Sequence, residues 1–491
     1  MIDLEFIDLL NNKDRRMLIL LHELVKNGSI SIDELLARIS VTKKTLLKTV
    51  DELNQFDLTD SNKSIIHIDK NRIYILENLN PALLVLYKKV VHHSIPSIIL
   101  TKLFHMETPS INQLAEECAS SSVIIYKQIK ALNRFLELYD IQIKLSPLRL
   151  SGSEEQIRFF YKHFFWYIFH GIDWPFKNVT ESELTNLIQL QAPFLIPPKS
   201  NTIKESILFD IAIILSRRRN QQFISRQITY YPDSPLNKVI YSAGSFQNID
   251  SPKTYHFLEK SYSMALLETD SPVSDEPSLM QEMLFFYQQE DSTFYRMMMT
   301  LMEIFREKLT KNDFQKIDII PFKMKIIRLF FRIFYFKGEK NSLFPFLNEE
   351  ETENSFLTHL LEFSIVRLLH SFPELDKNAQ ILYTRLKTLL SSNLSFTSYL
   401  PTVTILLDID TEPLREHISH QIQSLDYNCI FLDHPSISAE CDLLISNSIL
   451  PSIECDEAFI FSHKKLTNYD CTLLNQRLAQ ITKTKIDNIQ M

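Results

Sequence analysis

Ser31-Ile32-Asp33-Glu34-Leu35-Leu36-Ala37-Arg38-Ile39-Ser40-Val41-Thr42-Lys43-Lys44-Thr45-Leu46-Leu47-Lys48-Thr49-Val50-Asp51-Glu52-Leu53-Asn54 contains two helix starts in close succession. Ser31 can cap a short helix over Ile32–Ile39, with Glu34 at the capping-box position. After Ser40-Val41, Thr42 caps a second helix over Lys43–Asn54. Leu46, Val50 and Leu53 then share its inner face at helical spacing. Upstream, Asp14 to Lys26 carries Leu18, Leu21 and Val25 at the same spacing, and Asn27-Gly28 ends that helix. Downstream the period shortens. Ser64 to Ile68 and Arg72 to Ile75, joined by Asp69-Lys70-Asn71, predict a small hairpin.

The same order then returns. Residues 82–105 predict helix, Ser110 caps Ile111–Cys118, and Ser121 caps a long helix to Tyr139. A second hairpin follows, with Ile141–Leu145 and Leu148–Gly152 joined by Ser146-Pro147. This is a duplication of pattern: helix, short helix, turn, helix, hairpin. A pair of helices around a tight turn with a hairpin beside it is a winged helix-turn-helix. In that motif the second helix enters the major groove while its neighbours touch the backbone. In the first copy the candidates are Thr42, Lys43, Lys44, Thr45 and Lys48, with His67, Lys70 and Arg72 on the wing. In the second they are Ser121, Ser122, Tyr126, Lys127, Lys130 and Arg134. These residue types suit phosphate oxygens and base edges, so the expected partner is double-stranded DNA.

Composition excludes much else. Only five of 491 residues are glycine, at 28, 152, 171, 244 and 338. Ordinary usage would give roughly 34. Dinucleotide fingerprints, P-loops and nucleophile elbows need glycines close together, and none can be drawn here. Helices disfavour glycine, so the chain reads as mainly α. Its length implies several domains. Net charge is −8, yet residues 1–160 hold 20 Lys+Arg against 20 Asp+Glu, so the whole excess lies downstream. A neutral DNA-binding region predicts moderate sequence specificity, with DNA shape or bendability contributing. No apolar run reaches the roughly 18 residues of a membrane span. The acidic start lacks a signal-peptide pattern, and five cysteines form no C-x-x-C. The expectation is a reduced, cytoplasmic protein with no membrane partner.

From Glu154 to about 395 the sequence predicts long helices. Glu268 to Pro277 reads as a linker between two helical units, and Arg217-Arg218-Arg219 as a solvated helix end. After Pro401, short apolar strands at 403–407, 429–432, 442–445 and 458–461 alternate with helices at 412–425 and 466–486. That pattern predicts a small α/β domain. His417, His420 and His434 complete no metal site, and Asp408 and Asp410 have no partner in sequence. No metal, cofactor or catalytic residue is expected, and the chain does not read as an enzyme.

The stretch Leu148-Arg149-Leu150-Ser151-Gly152-Ser153-Glu154-Glu155-Gln156-Ile157-Arg158-Phe159-Phe160, together with the whole order of elements, resembles the Mga/AtxA group of Gram-positive virulence regulators. The resemblance implies two winged helix-turn-helix domains (1–78 and 79–160) and two all-helical PTS-regulation-like domains (161–275 and 276–398). A C-terminal EIIB-like α/β domain (399–491) completes it. It also implies a DNA-binding transcriptional regulator that forms homodimers or larger oligomers. Phosphotransferase-system proteins are further implied partners, acting through histidine phosphorylation. The candidates here are His359, His256 and His370. A working EIIB domain carries a cysteine directly after its first strand, where this chain has Asp408-Ile409-Asp410-Thr411. The alternatives are an RNA-binding antiterminator with PTS-regulation domains, or a PTS-linked phosphocarrier. The helical 13–56 segment is unlike the β-rich RNA-binding module of the first, and the missing cysteine counts against the second.

Overall fold

The computed structural model describes the chain apart from residues 1–5, 40, 56–64, 76–79, 192–200, 227, 229–230, 243–251, 271–275, 339–354, 426, 433–440, 448–456, 462–465 and 491. It divides into two units: Met1–Met299 with Ile320–Glu350, and Thr300–Ile319 with Glu351–Met491.

The first unit opens on a short turn, Phe6–Leu9, and then helix α1 (Asn12–Asn27). The Asn11 side chain accepts hydrogen bonds from the Lys13 and Asp14 amides at its start, and Gly28 ends it at φ +68°. Leu18 and Leu21 are buried as their spacing predicts. Val25 is not: it is 52% exposed, and Leu24 occupies the core instead. Strand β1 (Ser29–Ser31) leads into α2 (Ile32–Ile39), α3 (Lys43–Asn54), β2 (Ile66–Asp69) and β3 (Arg72–Ile75). The three strands are antiparallel in the order β1-β3-β2, so the wing is a three-stranded sheet and not a bare hairpin.

The second copy consists of α4 (Asn80–His92), α5 (Ile95–Phe104), α6 (Ile111–Glu117), α7 (Ser122–Leu136), β4 (Gln142–Leu145) and β5 (Leu148–Ser151). The helix expected over 82–105 is broken at His93-Ser94, because Pro96 sits in the first turn of α5 and cannot supply an interior amide. The long helix from Ser121 stops at Leu136. A tight turn over Glu137–Tyr139 follows, with Asp140 left-handed at φ +56°.

One continuous apolar core serves both copies. Phe6 meets Phe135 at 5.6 Å edge to face, and the Gln128 side chain donates to the Leu9 carbonyl at 2.7 Å. Leu46, Val50 and Leu53 of α3, and Ile125, Ile129 and Leu132 of α7, are each at most 2% exposed. Each such side chain contributes roughly 1.5–3 kcal/mol of burial.

Helix α8 (Glu154–Phe169) joins this core to α9 (Glu181–Gln191), α10 (Asn201–Arg219), α11 (Pro235–Ser242) and α12 (His256–Asp270). Phe159, Phe160, Phe164 and Phe165 fill its surroundings. The arginine cluster at the end of α10 is not solvated. Arg217 grips Glu154 at 2.9 and 2.7 Å, and Arg218 donates to Glu259 at 2.7 Å. Arg158 bridges both carboxylates at 2.8–2.9 Å. Three arginines therefore meet two internal acids in a buried hub. Burial alone would raise the pKa of Glu154 and Glu259. The arginine contacts outweigh it and hold both below the ordinary value.

The linker expected from Glu268 also needs correcting. Glu268 and Thr269 are buried on α12, and only 271–275 of that stretch lie outside the described residues. The Tyr287 hydroxyl donates to Glu268 at 2.9 Å, and burial pushes that carboxyl up to about 7. Helix α13 (Pro277–Gln289), the first part of α14 (Thr293–Lys308) and α16 (Ile320–Tyr335) complete the unit. Beyond α16, Phe336 stacks on Phe159 at 4.6 Å. Gly338, at φ +85°, lies so close to the Tyr139 ring that a Cβ there would collide with it.

The second unit holds the end of α14, α15 (Lys311–Ile317), α17 (Ser355–Ser371) and α18 (Ala379–Ser391). Asp313 there accepts from Thr310, Lys316 and Tyr399 at 2.7–2.9 Å. The α/β part comprises β6 (Val403–Asp408), α19 (Glu412–Gln423), β7 (Cys429–Leu432), β8 (Leu443–Ser446), β9 (Ala458–Ile460) and α20 (Asn468–Gln490). All four strands are parallel in the order β7-β6-β8-β9. Ile418 and Ile422 of α19, with Leu474 and Leu478 of α20, pack on Val403, Ile405, Leu443 and Ile445. The architecture is mainly helical and multidomain, with this small parallel sheet at its C-terminal end.

Candidate nucleic-acid interface

The two copies align without a gap from the first cap to the end of the second helix. Ser31 and Ser110, Thr42 and Ser121, and Asn54 and Asn133 each stand 79 positions apart. The matched residues do the same work. Ser31 Oγ accepts from the Glu34 amide at 3.1 Å. Ser110 forms a full capping box with Gln113. Thr42 and Ser121 each accept an amide at 3.3 Å to start α3 and α7. At the far end, Asn54 holds the amides of Ile65 and Ile66 and the carbonyl of Ile66. Asn133 likewise holds both the amide and the carbonyl of Ile143. An asparagine at the end of each second helix thus clamps the first strand of each wing. This role escapes sequence reading, although its equal spacing from each cap is a signal.

The surfaces differ. On α3, Lys43, Lys44 and Lys48 are exposed on the outer face. Thr42 and Thr45 share a hydroxyl contact of 3.0 Å, so both help to fix the helix start. Lys48 lies 3.8 Å from Glu52, which Lys13 also approaches at 3.3 Å. These exposed pairs contribute little to stability. On the wing, Lys70 turns the hairpin at φ +50° and His67 stacks on Tyr74 at 5.7 Å. Arg72 stands directly across from Asp69, so opposite charges face each other there.

On α7, Tyr126, Lys127, Lys130 and Arg134 are exposed along one side. Ser122 donates its hydroxyl to Asn112 at 2.7 Å, which commits its proton to α6. The second wing supplies two residues that sequence reading missed. Lys144 and Arg149 are exposed and directly opposite each other across β4 and β5. Like charges so placed destabilise a hairpin, and an anion between them relieves the repulsion. Hairpin alternation was the signal available for them. The expected contact residues thus fall into two groups, one on each copy, carried by one shared core.

Residues 80–165, which contain the second copy and the start of α8, match the Mga helix-turn-helix domain. An anthrax toxin expression trans-acting positive regulator of Bacillus anthracis is 26% identical over 203 residues, 41% of this chain and 42% of that protein. The capsule synthesis positive regulators AcpB and AcpA of the same organism are 24% identical over 192 residues and 23% over 313. Those alignments cover 38% and 62% of this chain and 39% and 61% of the relatives. Over these stretches the chain is similar to Mga/AtxA-like regulators. Its matches span about two fifths to three fifths of the length of these relatives.

The three candidate histidines lie on two helices. His359 and His370 are exposed on α17, and His256 is half-buried at the start of α12. His170, at the end of α8, stacks on Trp166 at 3.9 Å and meets Glu205 at 2.5 Å. Among the described residues, no group of three or more His, Cys, Asp or Glu is placed to hold a metal ion. No single described helix is long and apolar enough to cross a membrane. The bent pair α4–α5 is that apolar only when taken together, and its Leu83, Leu86, Ile99 and Leu100 lie in the core.

Proposed function

We propose that this chain is a DNA-binding transcriptional regulator that holds duplex DNA with both winged helices. The observation that carries this reading is the tandem motif itself. Two helix-turn-helix units with matched caps and clamps each leave the outer face of the second helix open and rich in basic or hydroxyl groups. Lys43, Lys44 and Lys48 on α3, and Lys127, Lys130 and Arg134 on α7, face phosphates in this reading. The wing residues Lys70, Arg72, Lys144 and Arg149 extend the footprint. Thr42 and Ser121 serve by starting the helices that carry these groups. The relatives named above are called positive regulators, which supports activation over repression.

The remaining parts have regulatory roles in this reading. The helices over 161–275 and 276–398 act as PTS-regulation-like domains, with His359 the first candidate phosphoacceptor and His370 and His256 behind it. Phosphate on such a histidine adds charge at a helix surface and shifts an interface. The α/β end, 399–491, serves assembly into a homodimer or larger oligomer and not phosphotransfer, since its first strand runs into Asp408 where the phosphoacceptor cysteine of a working EIIB domain would follow.

The test is a gel-shift titration of the full chain on duplex DNA across a salt series. Binding should weaken steeply with salt. Replacing Lys43, Lys44 and Lys48 by alanine should flatten the slope by about 0.9 for each phosphate that is no longer neutralised. An unchanged slope would remove the first copy from the interface.

A further inference from the structure

Helix α7 presents an apolar face where a groove-reading helix has its base contacts. Val123 is 64% exposed, Ile124 46% and Tyr126 52%. All three lie in the first turns of α7, the part of a second helix that reaches base edges in a helix-turn-helix. Their inward neighbours Ile125 and Ile129 are fully packed, so the exposed residues are surplus to the core. The basic groups lie elsewhere: Lys127, Lys130 and Arg134 further along α7, and Lys144 and Arg149 on the wing. Lys127, Lys130 and Arg134 continue the outer line of α7 beyond Val123, so an uncharged first turn is followed by a basic stretch suited to phosphate.

Resting on the DNA-binding function proposed above, we propose that Val123 and Ile124, with the Tyr126 ring, read thymine methyl groups in the major groove. Residues 122–126 hold no arginine, lysine, asparagine or glutamine, so they cannot make the bidentate pairs that select guanine or adenine. Ser122 has already given its proton to Asn112. The thymine C5 methyl is the apolar group that the four bases offer in the major groove. The first turn of α7 therefore selects thymine against cytosine, which lacks that methyl. At the matching positions of α3 stand Lys44, Thr45 and Leu47, the last half-buried. Reading of thymine methyls thus falls to the second copy.

The experiment uses the full chain. Duplexes are selected from a random-sequence pool, and each thymine of a selected site is then replaced by deoxyuridine, which deletes only the methyl. Affinity should fall roughly fourfold for each contacted methyl. The Val123→Ala/Ile124→Ala variant should bind thymine and deoxyuridine duplexes equally and keep its affinity for unselected DNA. The wild-type readout changes the DNA alone, so it is independent of any folding defect in the variant. Equal binding of both duplexes by the wild type overturns this assignment and leaves DNA binding intact, as does a deoxyuridine penalty that survives in the variant. Failure to bind any duplex at low salt overturns the DNA-binding function itself.

Discussion

The two winged helices share a skeleton and differ in what they show to solvent. From Ser31 to Asn54 and from Ser110 to Asn133, caps, inward residues and wing clamps match position by position. On the outer face, the first copy places lysines at the start of its second helix and pairs its wing charges, Asp69 against Arg72. The second places apolar residues at the start of its helix and opposes like charges on its wing, Lys144 against Arg149. Positions that fold the motif are held in common, while the exposed positions of the second helices and wings have diverged. A duplication whose copies did one job would not need the second to carry an unfavourable wing.

The largest effect should come from the hub that only the second copy touches through its own helix continuation. Glu259→Ala removes the hub carboxylate that Arg218 meets and one of the two that hold Arg158, which should cost about 3–5 kcal/mol, read by chemical denaturation. Hydrogen exchange should then show α7 and β4 losing protection before α3. Simultaneous loss would erase this distinction between the copies. The hub is also acid-sensitive. Glu154 and Glu259 have lowered pKa values in the folded state, so their stabilisation is present above the unfolded value near 4.5. It is lost as pH falls through the lower folded values.

Next in size are the clamps. Asn54→Ala and Asn133→Ala each leave part-buried strand amides or carbonyls unmet, at about 1–3 kcal/mol apiece. Equal shifts in melting temperature would sharpen the structural repeat, and a difference of more than twofold would break it. The smallest effect separates stability from binding. Lys144→Glu turns a like-charge pair into an opposite one and should stabilise the fold by about 0.2–1 kcal/mol. The same change should weaken duplex binding. The matched change in the first wing, Asp69→Lys, should do the reverse in stability.

What the sequence revealed was local. Caps and short-range spacing announce themselves because a serine or threonine meets an amide three residues on, so α2, α3, α6 and the start of α7 were legible to within a residue, while α7 ends three residues before the expected Tyr139. Strand β1 was not, since Ser29-Ile30-Ser31 is too short to display a period before its pairing with β3 exists. Arg217, Arg218 and Arg219 looked solvated because the acids that bury the first two, Glu154 and Glu259, lie 63 and 41 residues away. The same limit hid the face of α7. Val123 and Ile124 carry no signal of their own in the run Val123-Ile124-Ile125, and only the packing of Ile125 and Ile129 shows which neighbours are left outside.

The continuous core beneath both copies has a further consequence. With Phe6 against Phe135 and Gln128 bonded to the Leu9 carbonyl, α3 and α7 cannot swing independently on a tether. A duplex engaged by both would be measured as well as gripped. Two contacted segments half a turn of the double helix out of phase would present the wrong face to one of the copies, whatever their base sequence. For a regulator that holds duplex DNA with both copies, the shared core would make the pair of helices a caliper, and spacing along the DNA would join base sequence in what is recognised.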